Sequence, residues 1–190
     1  MPTQTLGAIA LLGLGAACLA GCAAHHDANQ TQTADQAQVR LTDSSGGFSY
    51  VPPPGWQIRN YPGIKYKISS APPMAVFTPT IVVRYDVVPV DLDRYVRGCT
   101  AGIMKHLTDP DKSYTTYHVV SQGAFVTAAG LHGVRLLSDA TLFGKSVRQI
   151  FYTFPGPSNR KYIATTSWLQ ADGNKYAAAS DEAMKTFTLK

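Results

Sequence analysis

Charge is what this chain lacks most. Asp, Glu, Lys and Arg make up only 15% of its 190 residues, and one glutamate, Glu182, stands among twelve acidic side chains. Seventeen Lys and Arg leave a net charge of +5, but they are spread from Arg40 to Lys190 without a run of three. So mild and scattered a basic excess does not indicate nucleic-acid binding and reads as a solvated, slightly basic surface, so no nucleic-acid partner is expected. No apolar run reaches the roughly twenty residues of a membrane-spanning helix. The motifs of chemistry are scarce too. Ser49, Ser121 and Ser138 sit in no Gly-x-Ser-x-Gly elbow, no glycine-rich phosphate loop opens a helix, and neither Cys-x-x-Cys nor His-x-x-x-His spacing occurs. His106, His118 and His132 fall on different segments, and His25-His26-Asp27 lies in a polar stretch with nothing to orient a metal ligand. Of the close carboxylate pairs, Asp91 with Asp93 is accounted for by helix capping, and Asp109 with Asp111 lacks the further oxygens of a calcium loop. These absences predict no catalytic residue, no metal and no cofactor.

What the chain does have begins at its start. Residues 6–20 are almost wholly apolar or small, and no charged side chain precedes Asp27. This stretch ends in Leu19-Ala20-Gly21-Cys22, which resembles the lipobox of bacterial lipoprotein signal peptides. The resemblance implies that Cys22 carries a diacylglyceryl thioether and that cleavage falls just before it, removing residues 1–21 and Cys18 with them. One departure is that Met1 to Thr5 contain no Lys or Arg, which signal peptides normally carry. A plain secretory signal or a retained anchor are the alternatives. Acyl chains, at about 0.8 kcal/mol per buried methylene, would hold the mature chain to a membrane. Ala23 is not the aspartate that retains such proteins at the inner membrane, so a Gram-negative host implies the outer membrane, facing the periplasm. In another host, the outer face of the cytoplasmic membrane is implied.

Residues 22–46 read as the lipidated cysteine and a tether, dominated by Ala, Gln, Thr, Asp and Asn, with Val39 and Leu41 its only larger aliphatics. A single domain is expected over 47–190. Phe48 to Val51 read as a strand, stopped by Pro52-Pro53-Pro54-Gly55 before Trp56. Residues 64–68 and 81–87 alternate as half-buried strands, the latter putting Ile81, Val83, Tyr85 and Val87 on one face. Leu92, Tyr95, Val96, Cys99, Ile103 and Leu107 then recur at helical spacing, with Asp91 as N-cap and Gly98 and Gly102 offering close approach to a sheet. Cys99, on that stripe, reads as a packed thiol rather than a nucleophile. Strands follow over 114–125, 133–142, 146–154 and 161–169, with a hairpin at Phe143-Gly144-Lys145, and a second helix closes the chain over 174–186. Runs of strands broken by two helices predict an α+β domain whose largely antiparallel sheet of six to seven strands is flanked by the two main helices.

This order resembles the PsbP-like superfamily, including lipoproteins of the DcrB type. The likeness is carried by Phe48 to Trp56, Gly130 to Val134, and the ending Asp181-Glu182-Ala183-Met184-Lys185-Thr186-Phe187. It implies a sandwich of antiparallel sheet between helices, a closing phenylalanine that leads into a short last strand, and a binding or assembly role without shared catalytic residues. Tyr50, Trp56, Tyr61 and Tyr66 cluster about the proline-rich turn. Core packing explains some of them; exposed, Tyr50, Tyr61 and Tyr66 would suit a partner surface. The sequence therefore reads as a membrane-anchored, non-catalytic module that binds an envelope protein. A carrier or sensor of a small apolar ligand is the alternative, and a hydrolase the third.

Overall fold

The computed structural model describes residues 39–59, 67–105, 107 and 113–190. Residues 1–38, with Cys22 and His25-His26-Asp27 among them, and Tyr61, Tyr66, His106, Asp109 and Asp111 lie outside the described residues. In chain order the elements are β1 (Leu41–Asp43), β2 (Phe48–Tyr50), β3 (Gln57–Arg59), β4 (Lys67–Ser70), β5 (Thr80–Val87), α1 (Leu92–Lys105), β6 (Tyr114–Val126), β7 (His132–Leu142), β8 (Lys145–Pro155), β9 (Arg160–Leu169), a 3-10 turn (Gln170–Asp172), α2 (Ala177–Lys185) and β10 (Thr188–Leu189).

Seven strands form one antiparallel sheet in the order β3-β4-β5-β9-β8-β7-β6. The central strand β9 is buried along Lys161 to Trp168, because both of its faces are covered. One face meets α1, through Val96, Val134 and Leu136 and then through Tyr114, Ala140 and Val147. The other face carries the main core, with Ile81, Val83, Ile150, Tyr152, Phe154 and Trp168 packed against α2 and a second, three-stranded sheet, β1-β2-β10. The domain is thus the expected α+β sandwich, with an extra small sheet in one layer.

Local sequence accounts for most boundaries. β7 and β8 are joined by Phe143-Gly144, both at positive φ (48° and 72°), the requirement of a two-residue type I′ turn that matches the twist of paired strands. Pro53 to Trp56 closes a turn in which Gly55 sits at φ 77° and Trp56 N–H donates to the Pro53 carbonyl at 3.1 Å. Asp91 caps α1, accepting the Arg94 backbone N–H at 2.7 Å. Phe187 is fully buried in ring contact with Phe154 and Phe48, and its chain runs straight into β10.

Some expectations need correction. The stretch read as tether contains β1: Leu41 is 2% exposed and packs in the main core, and Asp43 Oδ1 accepts the backbone N–H groups of Ser45 and Gly46. Gly98 and Gly102 make no close approach to the sheet, since a methyl group at either would meet nothing within 4 Å. Along β5, Ile81, Val83, Tyr85 and Val87 do share one face, but only Ile81 and Val83 are buried on it, and Tyr85 and Val87 are exposed. The second helix is shorter than its periodicity, starting at Ala177 because the chain from Gln170 to Tyr176 turns first.

Candidate functional site

The main sheet has two edges of different character. β3 is three residues long and carries Arg59, whereas β6 runs for thirteen residues that include no Asp, Glu, Lys, Arg or Pro. Its register against β7 shifts between Tyr114 and Thr116 and between Val119 and Ser121, then stays regular from Ser121 to Val126. At the hairpin end the Thr127 N–H donates to the Leu131 carbonyl at 3.1 Å. Alternation along an antiparallel ladder then makes Ser121, Gly123 and Phe125 bond inward to β7. Gln122, Ala124 and Val126 point their N–H and C=O groups away from the sheet, and all three residues are exposed. Phe125 anchors the strand from the α2 face, its ring 5.0 Å from that of Tyr152 and 6.1 Å from that of Phe154.

The other face of the same segment borders an open cleft of about 350 Å³ between the first turn of α1 and the β6–β7 hairpin. Leu92 and Asp93 form one wall, Gln122 and Ala124 the other, with His132 and Val134 from β7. The topology brings them together: α1 starts where β5 ends, at the end of the sheet where β6 turns into β7. The lining offers apolar surface, a carboxylate, an amide and an imidazole, and no hydroxyl, thiol or amine side chain among the described residues.

Two carboxylate clusters fasten the helices to the sheet. On the α1 side, the Arg84 guanidinium donates to both oxygens of Asp86 at 2.7 and 2.8 Å, and the Tyr95 hydroxyl donates to the same carboxylate. Burial, reinforced by that hydrogen bond, raises the Tyr95 phenol, and burial pushes the nearby Cys99 thiol up, away from the reactive thiolate. On the α2 side, Asp181 Oδ1 accepts from Arg135 at 2.7 Å and from the Tyr152 hydroxyl at 2.6 Å. Beneath α1, Arg84, Val96, Cys99, Tyr117, Phe151 and Ile163 line a cavity of about 40 Å³. That is room for a few water molecules and not for an acyl chain.

The sequence-derived site residues fare unevenly. Tyr50 is no surface residue: it is fully buried where β2 lies over the main sheet, and its hydroxyl bonds Ser69 Oγ at 2.9 Å. Trp56 is half-buried, edge-on to Tyr176. His118 and His132 are exposed on β6 and β7, and only His132 reaches the cleft. Among the described residues, no group of three His, Cys, Asp or Glu side chains could hold a metal ion. The β6 edge was missed by sequence reasoning, although its signal was there, in a thirteen-residue strand with neither charge nor proline.

No family model matches the chain, and no curated protein matches it in sequence. Solved structures do match in fold. PsbP from the cyanobacterium Synechocystis (CyanoP) superposes with a TM-score of 0.58 at 9% identity, over 80% of this chain and 92% of its own. LpqN of Mycobacterium tuberculosis, described as involved in cell envelope biogenesis, gives 0.55 at 13% identity, over 80% and 90%. A Pseudomonas aeruginosa protein of unknown function gives 0.55 at 13% identity, over 72% of this chain and 98% of its own. The fold is PsbP-like.

Proposed function

We propose that this chain is an exported lipoprotein, anchored through Cys22, whose sandwich domain is a non-catalytic module for binding another protein of the cell envelope. The observation that carries the binding role is the exposed, uncharged β6 edge beside an open cleft, a place where polar backbone and apolar side chains are offered together. The address comes from the lipobox-like Leu19-Ala20-Gly21-Cys22. Among the described residues no helix is long and apolar enough to cross a membrane, and in this reading the lipid on Cys22 supplies the attachment. LpqN, of similar fold, is described as an envelope-biogenesis protein, which suits the same setting. The alternative of an apolar-ligand carrier draws little support from a cavity of about 40 Å³.

Feeding host cells an alkyne-tagged fatty acid, then cross-linking and purifying the chain, tests both halves. The wild-type chain should take up the tag and carry a reproducible adduct with one other envelope protein. Cys22→Ala should lose the tag, leave the membrane fraction and lose the adduct. An untagged wild-type chain would overturn the anchor, and a tagged chain without any protein adduct would overturn the binding role.

A further inference from the structure

An antiparallel sheet edge with free N–H and C=O groups is a template for another strand, and natural proteins blunt such edges with charge, proline or shortness. The β3 edge is short and carries Arg59, but β6 from Ser121 to Val126 has neither charge nor proline, and no register irregularity within it. Its outward-facing positions are Gln122, Ala124 and Val126, and Gly123 between them has nothing within 4 Å of where a side chain would stand. Glycine within a strand commonly marks close approach by another backbone. Ala124 is the next smallest residue, so the middle of this segment is its least obstructed part.

Resting on the reading of the domain as a protein-binding module, we infer that the β6 edge takes up an extended segment of the partner protein as an added strand paired to residues 121–126. Backbone hydrogen bonds to Gln122, Ala124 and Val126 would supply sequence-independent affinity. Selectivity would come from the cleft beside them. Alternate side chains of the added strand project on the α1 face, where Leu92, Ala124 and Val134 offer an apolar seat with Asp93 and His132 at its rim. The segment recognised is therefore extended, uncharged where it pairs, and carries an aliphatic residue at the position that meets the cleft. A second copy of this chain fits the edge less well. On that face it would bring its own Gln122, Ala124 and Val126, but two copies of like net charge, +5 each, repel one another.

The test pans a library of random linear peptides against the full-length chain in detergent micelles. Recovered peptides should be uncharged at alternating positions. They should slow hydrogen exchange of the Gln122, Ala124 and Val126 amides about tenfold or more. Ala124→Pro removes an outward N–H and leaves the β6–β7 ladder intact, so it should weaken binding about tenfold or more without lowering the thermal midpoint. Should the proline variant fail to fold, Ala124→Lys, which places a charged chain at the cleft mouth, should produce the same loss. Recovering no binder, protection elsewhere in the chain, or unchanged affinity in a folded variant would overturn the inference. A concentration-dependent dimer abolished by Ala124→Pro would overturn it in favour of a second copy. An envelope-protein adduct undiminished in Ala124→Pro would remove the edge from the account while leaving the protein-binding reading in place.

Discussion

Asp181 does for α2 what Asp86 does for α1: one carboxylate gathers an arginine and a tyrosine, and so ties its helix to the sheet. Tyr152 is wholly buried, and removing the acceptor strands its hydroxyl together with the Arg135 guanidinium. Asp181→Ala should therefore cost about 1–3 kcal/mol, read as a lower urea midpoint with unchanged slope. A third carboxylate, Asp139, is held below the usual range chiefly by hydrogen bonds from Arg148, at 2.7 and 2.9 Å. Because its folded-state pKa is depressed, the stability it contributes is present above the unfolded value of about 3.9 and is lost as pH falls through the lower folded value. Thermal midpoints measured from pH 6 down to about pH 2 should fall less steeply for Asp139→Asn than for the wild type. Little of this was legible beforehand. Asp91 was, because a cap acts on its own neighbours. The role of Asp181 was not, because its partners stand 46 and 29 residues away.

At the level of elements, the long strands β6 to β9 and both helices follow from periodicity, and the β7–β8 turn from its glycine. The small sheet does not. Strands of three, three and two residues are too short for an alternating pattern, and β1 came from a segment whose composition is otherwise that of a tether. What organises it is tertiary: the ring contacts of Phe48 with Tyr162 and Phe187, and the burial of Leu41. The glycines show the same limit, because sequence cannot tell an idle one from a required one. Gly98 in α1 is exposed with open space around it, so Gly98→Ala should stabilise the fold by about 0.5–1 kcal/mol through helix propensity alone. Gly133 in β7 is different: a Cβ there would stand 2.5 Å from the Phe154 ring and 2.6 Å from the Thr153 carbonyl oxygen. Gly133→Ala should be destabilising by about 1–3 kcal/mol, and paired denaturation curves should move these two variants in opposite directions.

For the whole molecule, an α+β sandwich was legible because runs of strands broken by only two helices leave few ways to cover both sheet faces. Structures at 9–13% identity share that solution, which locates the fold alone. The candidate site was illegible for a topological reason. Leu92 and Asp93 meet Gln122, Ala124 and His132 only because the chain leaving β5 begins α1 beside the β6–β7 hairpin. Of the tyrosines about the proline-rich turn, Tyr50 is core. Under the proposed function, the anchored domain works by holding another protein. Native mass spectrometry of the chain, gently extracted from its own host's membranes, tests it most directly. The expected result is an acylated chain carrying the added mass of a second, different polypeptide. A bare, unacylated chain, or an acylated one carrying only a small non-covalent adduct lost on denaturation, would contradict it.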